Sequence, residues 1–271
     1  MPQGWTLGGT SRTAEGRAAI AADGVIALSS DQTEGFEAGA VVIAAPPTAD
    51  GCPGLAALRR ERGWLGYLST TGVYGDLGGG WAFEETPPNP QSIEATRRAQ
   101  AEAGWLARGA QVFRLPGIYG AGRSALEKVA SPSARSLVKP GQVFSRIHVD
   151  DLAAGLLASM ARPRPGAIYN LCDDEPCETP LVDAHAAALL GLAPPPRIAM
   201  EDATLSPTQL RFYAECKRVS NTRAKAELGW RPRFPTFREG LQAIMDASLS
   251  GSSAAPEPNP PPCLPAFRPG R

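Results

Sequence analysis

Three consecutive hydroxyls, Ser69, Thr70 and Thr71, stand between a short apolar run and two glycines, Gly72 and Gly75, in the stretch LGYLSTTGVYGD from Leu65 to Asp76. An apolar run that opens into a polar, glycine-rich turn reads as a buried parallel strand and its carboxyl end. In an open α/β sheet that end is where ligands sit. A hydroxyl there can hydrogen-bond a substrate carbonyl or alcohol, and Tyr74 adds a second polar tip on an apolar ring. The competing reading is a β-turn whose Ser and Thr satisfy only local backbone groups.

Composition narrows the chemistry. Lys plus Arg equal Asp plus Glu at 27 each over 271 residues, so no whole-molecule field favours nucleic acid or an anionic membrane as partner. Five cysteines without a CxxC pair and two histidines, His148 and His185, are too poor a set for a zinc site, and no metal is expected. An odd cysteine count, no apolar run of membrane-spanning length and no basic-then-apolar amino terminus together predict a cytoplasmic protein with reduced thiols.

Four segments, taken in order, resemble the extended short-chain dehydrogenase/reductases, the NAD(P)-dependent epimerase/dehydratase superfamily. STTGVYGD resembles the active-site strand. FRLPGIYGAGR (Phe113 to Arg123) resembles the next strand and the loop under the nicotinamide, FSRIHVDDLAAGL (Phe144 to Leu156) the segment leading into the following helix, and AIYNLCDDEP (Ala167 to Pro176) the last sheet strand. CKRVSNTRAKAELGW (Cys216 to Trp230) adds a likeness in the lobe. The resemblance implies an α/β fold, a Rossmann-type doubly wound parallel sheet with a small C-terminal substrate lobe. The expected division is a dinucleotide-binding core over 1–122, completed by 144–175, a lobe from 123–143 and 176–249, and a disordered Pro-rich tail over 250–271.

One part of that pattern is missing. The chain opens MPQGWTLGGTSRT, where Trp5 to Thr10 reads as the family's second strand, and no early GxGxxG turn precedes it. The absent βα unit, roughly 25–30 residues, would supply the central strand in the usual order 3-2-1-4-5-6. Without it two inner edges lie unpaired and the pyrophosphate lacks its amides. The expectation is a truncated or mis-started version of a longer protein; the alternative is a shortened fold that binds dinucleotide poorly or not at all.

The resemblance assigns the remaining residues. Ser11 and Arg12 follow the first strand where an NAD-specific enzyme carries an acid; a hydroxyl and a guanidinium suit a 2′-phosphate, which favours NADP over NAD. Asp31 would face the adenine, and Ala45, Pro46 and Ser69 would lie beside the cofactor. Pro116 and Gly117 would pass under the nicotinamide carboxamide, on the strand carrying Arg114. Trp81, in the loop GGGWAFEETPPNPQS, and Arg146, near Lys139, would meet a small-molecule substrate.

Thr70 matches the family's active-site Ser/Thr, but the Tyr-x-x-x-Lys pair is absent from the helix Ile93 to Arg108. Aligning on Glu102 puts Glu94 at the tyrosine position and Arg98 at the lysine position. These two are equally natural as an i,i+4 surface ion pair, which leaves Tyr74 or Tyr119 as substitute proton donors. His148 reads as a hydrogen-bonded core residue. The expected function is an NADP-dependent oxidoreductase or epimerase/dehydratase-like protein acting on a small polar metabolite, with degenerate catalytic residues. The alternative is a non-catalytic NAD(P)-binding sensor or a structural subunit. A homodimer through the long helix is the family's usual pairing, although this helix offers few large apolar residues to bury.

Overall fold

Trp64–Thr70 and Gln111–Leu115 form strands that are buried almost throughout, the burial expected of parallel strands covered on both faces. The computed structural model describes residues 4–29, 32, 38–58 and 63–249; the reading of Asp31 as an adenine contact and of 250–271 as a disordered tail both lie outside those residues.

The chain runs through β1 (Gly8–Thr10), α1 (Ala14–Ala22), β2 (Ile26–Leu28), β3 (Ala40–Ile43), α2 (Pro53–Ala57), β4 (Trp64–Thr70), β5 (Trp81–Ala82), α3 (Ile93–Ala107), β6 (Gln111–Leu115) and β7 (Gly117–Tyr119). It continues with α4 (Ala125–Ala130), β8 (Ser136–Val138), β9 (Arg146–His148), α5 (Val149–Ala161), β10 (Ile168–Asn170), α6 (Thr179–Leu189), β11 (Arg197–Ala199), α7 (Pro207–Ala214), β12 (Arg218–Val219), α8 (Thr222–Leu228) and α9 (Phe237–Leu249).

Four strands make one parallel sheet in the order β10-β6-β4-β3. Side chains alternate across it with the period of a strand. Leu65, Tyr67 and Val112 meet Ala101 and Trp105 of α3 on one face, and the Tyr67 and Trp105 rings stack at 5.9 Å. Trp64, Phe113, Leu115 and Tyr169 meet Leu152 of α5 and Leu228 of α8 on the other. The helix starts follow their sequence signals: Ser92 Oγ accepts from the Ala95 amide at 3.1 Å and Thr13 Oγ1 from Gly16 at 3.0 Å. α2 carries Pro53 in its first turn and runs to Ala57.

β1 and β2 pair with each other, also in parallel, in a separate two-stranded sheet. β3 ends the four-stranded sheet. β1, α1, β2 and β3 contain no fully buried residue, and Trp5, Leu7, Ile26 and Val42 are exposed apolar side chains.

Residues after Gly120 build a second core in which Leu126 and Val129 of α4, Val182 and Ala186 of α6, and Phe237 and Leu241 of α9 pack on Tyr119. β8 pairs with β11 beside it. No helix among the described residues is long and apolar enough to cross a membrane.

Candidate functional site

The β4–β6 register sets Thr70 opposite Leu115, so the hydroxyl turn after β4 and the Pro116-Gly117 bend after β6 emerge side by side at the carboxyl edge of the sheet. Ala45 and Pro46, just beyond β3, are exposed, Gly117 is exposed and Pro116 half-buried. Thr71–Tyr74 is a 3₁₀ turn capped by Thr70, whose Oγ1 accepts from the Gly72 amide at 3.1 Å. That hydroxyl keeps its proton free to donate. The turn closes at Gly75, φ 69°, where a side chain would run into the Asn89 carbonyl. α3 packs its first turn near this corner, where a Cβ at Gly72 would touch Ala95.

Beneath the corner lies a buried polar network that the sequence reading did not assemble. Glu102 of α3 and Arg114 of β6, 3% and 2% exposed, form a forked ion pair: Arg114 Nη2 donates to Glu102 Oε2 at 2.8 Å and Nε to Oε1 at 3.2 Å. Ser69 Oγ donates to the same Oε1 at 2.5 Å. Arg114 also stacks its guanidinium over the Tyr74 ring at 4.7 Å. Tyr74 donates to Asn170 Oδ1 at 2.7 Å, and the Asn170 amide donates to Glu84 Oε1 at 2.9 Å. The available signal was Arg114 itself, a cation inside the apolar run VFRLP, which a strand buried on both faces tolerates only with a buried anion.

Two of the assigned residues are members of this network. Ser69 gives its hydroxyl proton to Glu102. Tyr74 is buried, and burial, only partly offset by the Arg114 guanidinium, pushes its phenol up to about 12. Its role is to tie β4 to β10. Tyr74→Phe leaves Asn170 Oδ1 buried and unpaired, so thermal or urea unfolding should show a loss of about 1–3 kcal/mol. Tyr119 is placed likewise: burial raises its phenol, and its hydroxyl is packed against Gly240.

Glu94 and Arg98 do not pair with each other. Glu94 is exposed and reaches Arg211 of α7 at 3.7 Å, whereas Arg98 turns onto the sheet, donating to the Leu68 carbonyl at 2.7 Å and the Tyr67 hydroxyl at 3.2 Å. Ser11 accepts from the Thr13 amide at 3.4 Å and Arg12 is exposed at the end of β1.

Of the substrate candidates, Arg146 has its Nη1 engaged by the Phe144 carbonyl at 2.8 Å and by Cys177. Trp81 is half exposed on a cavity of about 290 Å³ that also borders Phe83, Asp173 and Asn221. Lys139, which donates to the Tyr213 carbonyl at 2.5 Å, lines a more apolar cavity of about 550 Å³ with Met200, Leu205 and Leu210. His148 is a core residue, its Nδ1 accepting from the Asp150 amide at 3.2 Å as the cap of α5.

No family model matches the chain. A functionally unknown conserved protein from Silicibacter pomeroyi DSS is 44% identical in its solved structure, over 91% of this chain and 92% of that one, with a TM-score of 0.83. The dTDP-glucose 4,6-dehydratase (rfbB) of Bacillus anthracis, solved with NAD, is 19% identical over 83% of this chain and 80% of its own (TM-score 0.68). RMD from Pseudomonas aeruginosa, solved with NADPH, is 20% identical over 79% and 82% (TM-score 0.61). A curated relative, the 3-diazoavenalumate denitrifying reductase of a Streptomyces species, is 35% identical over 104 residues, 36% of this chain. The chain spans about a third of that relative's length, 33%. The chain thus belongs to the family of the Silicibacter pomeroyi protein, and its fold is the α/β, Rossmann-type fold of the epimerase/dehydratase structures.

Proposed function

We propose that the carboxyl ends of β3, β4 and β6, together with the Ser11-Arg12 turn after β1, hold a nicotinamide dinucleotide, NADP in preference to NAD. On this reading the protein is an oxidoreductase or epimerase/dehydratase-like protein acting on a small polar metabolite, with a catalytic set that has departed from the usual one. The observation that carries it is the Thr70–Leu115 register, which sets a hydroxyl with its own proton available beside half-buried Pro116 and exposed Gly117 on the same sheet edge. The structural neighbours solved with NAD and NADPH and the reductase named among the relatives support the cofactor class.

The fold fits the group in part. Thr70 would hydrogen-bond a substrate carbonyl or alcohol, Pro116 and Gly117 would lie against the nicotinamide, and Arg12 would meet the 2′-phosphate. When bound, the cofactor supplies hydride transfer; the chain's part is to hold and orient. Around β1, β2 and β3 the side chains of Trp5, Leu7, Ile26 and Val42 are exposed, and among the described residues the β1-β2 sheet does not pair with the four-stranded one.

Calorimetric titration of the protein purified from the cells that make it tests the reading. NADPH should bind at least about tenfold more tightly than NADH, and Arg12→Ala should abolish the difference, since a charge-assisted contact to phosphate contributes about 1.5–3 kcal/mol. Equal binding of the two, unaffected by Arg12→Ala, contradicts the NADP assignment. The outward pairing of Glu94 with Arg211 and the buried phenol of Tyr74 favour a second reading, a non-catalytic NAD(P)-binding sensor, which binding without turnover on any carbonyl substrate would support.

A further inference from the structure

The cavity of about 550 Å³ in the lobe joins apolar side chains to one cation. Met200, Ala203, Leu205 and Leu210 line it together with Lys139 and Glu201, and its size is that of a small-molecule site. Segments distant in sequence meet there. Lys139 follows β8, Met200 to Leu205 follow β11, which pairs with β8, and Leu210 lies on α7, whose start is fixed by the capping box of Ser206 and Gln209.

Lys139 is half-buried, and its ammonium donates to the Tyr213 carbonyl at 2.5 Å. That bond uses one of three donors and leaves the charge uncompensated. Among the described residues Lys139 forms no ion pair: Glu215 is taken by Lys217, Asp76 Oδ1 accepts from the Cys216 and Gly78 amides at 2.7 Å and 3.1 Å, and Glu201 is exposed to solvent. An unpaired ammonium on an apolar wall favours an anion that brings its own apolar body.

The cavity lies on the lobe side of the strand end that carries Thr70. Asp76 directly follows Gly75, where the hydroxyl turn closes, and Lys217 donates to the Gly75 carbonyl at 2.7 Å. The Cys216 and Gly78 amides, with the charges of Lys139 and Lys217 behind them, hold the Asp76 carboxyl below its usual range. Arg211, next to Leu210 on α7, reaches Glu94 at the start of α3 at 3.7 Å.

We propose that this cavity binds an aliphatic carboxylate, with its carboxylate on the Lys139 ammonium and its chain along Met200, Leu205 and Leu210. As the substrate class of the Thr70 edge this rests on the nicotinamide reading; binding in the cavity does not.

The test is calorimetric titration of the full chain with sodium octanoate, with octanamide and sodium acetate as controls. Wild type should bind octanoate, and should bind octanamide and acetate at least about tenfold more weakly, the amide for want of charge and acetate for want of a chain. Lys139→Met keeps an apolar stem and removes the ammonium, so octanoate should fall to the level of octanamide. Leu210→Ser, at an exposed position of α7, should weaken octanoate and octanamide alike and decides the matter should Lys139→Met fail to fold. Absence of octanoate binding, equal binding of octanamide or acetate, a preference for octanoate that survives in a folded Lys139→Met, or undiminished binding in Leu210→Ser overturns the proposal. Titrating NADPH into the same samples separates the two readings. NADPH binding without octanoate binding overturns the cavity assignment alone, whereas octanoate binding without NADPH binding supports the cavity and removes the nicotinamide reading together with the substrate role.

Discussion

Glu102→Ala is expected to lower folding stability by about 3–5 kcal/mol, enough to shift a urea midpoint by more than 1 M at a slope of about 1–3 kcal/mol/M. Glu102 is the acceptor at the centre of the buried network: Oε1 takes the Ser69 hydroxyl and Arg114 Nε, and Oε2 takes Arg114 Nη2. Its removal leaves a guanidinium, 2% exposed, with the Glu84 carbonyl at 3.3 Å and the face of Tyr74 as its remaining contacts. Neither neutralises the charge. The double replacement Glu102→Leu with Arg114→Leu should recover most of the loss, because the pair repays little more than its own desolvation. Single and double variants that lose equal amounts, or a single-variant loss under about 1 kcal/mol, would show that the pair is not what holds α3 to β6. The site would feel the change as well, since Ser69 precedes Thr70 and the cap on the hydroxyl turn depends on where that strand end sits.

The second large effect is a gain. Glu94→Tyr combined with Arg98→Lys should raise the rate of carbonyl reduction with NADPH by about 10²–10⁴-fold, the contribution of a positioned general acid. The native residues supply none: Glu94 reaches outward to Arg211, and Arg98 is held by Leu68 and Tyr67. A phenol at 94 would stand beside Ala95, which lies over Gly72, and would have to fold in from the outward course of Glu94 to reach Thr70; a lysine four residues on would lower its ordinary pKa of about 10 toward the working range. Each single replacement should leave the rate near wild type, the tyrosine for want of a cation to depress it and the lysine for want of a phenol to act on. NADPH oxidation followed by absorbance over a panel of small ketones and aldehydes reads the result. A double variant that binds NADPH yet gains nothing would place the reacting carbonyl away from Thr70 and strengthen the sensor reading.

The sequence made the strand ends legible because each carries local chemistry: an apolar run, then hydroxyls, glycines or prolines that stop pairing. β4, β6 and β10 therefore fall where LGYLST, FRLP and AIYN predict them. Helix starts were legible for the same reason, as Thr13, Ser92 and Ser206 each bond an amide three residues on. The side-chain partners were not. Arg114 could be seen to need an anion, but choosing Glu102 over Glu84 or Glu94 requires knowing which turn of α3 faces β6. Asn221 stands at the cap position of α8, yet its side chain is spent on the Cys172 carbonyl and Asp174, acceptors on the loop after β10 that lie far away in sequence. The two-residue strands β5 and β12 are too short for any periodicity, so the cavity they shape around Trp81 could not be read beforehand. β1 and β2 pair in a sheet of their own and β3 ends the four-stranded sheet, each in parallel with its neighbour.

The most direct measurement is hydrogen–deuterium exchange on the protein purified from the cells that make it, with and without NADPH. The account predicts slowed exchange at Ser11 and Arg12, in the segment after Ile43, across Ser69 to Gly72 and at Gly117, with the Trp81 cavity unchanged. Exchange that NADPH leaves unaltered along that sheet edge, or alters only around Trp81 and Asp173, would contradict a nicotinamide site between Thr70 and the Pro116-Gly117 bend.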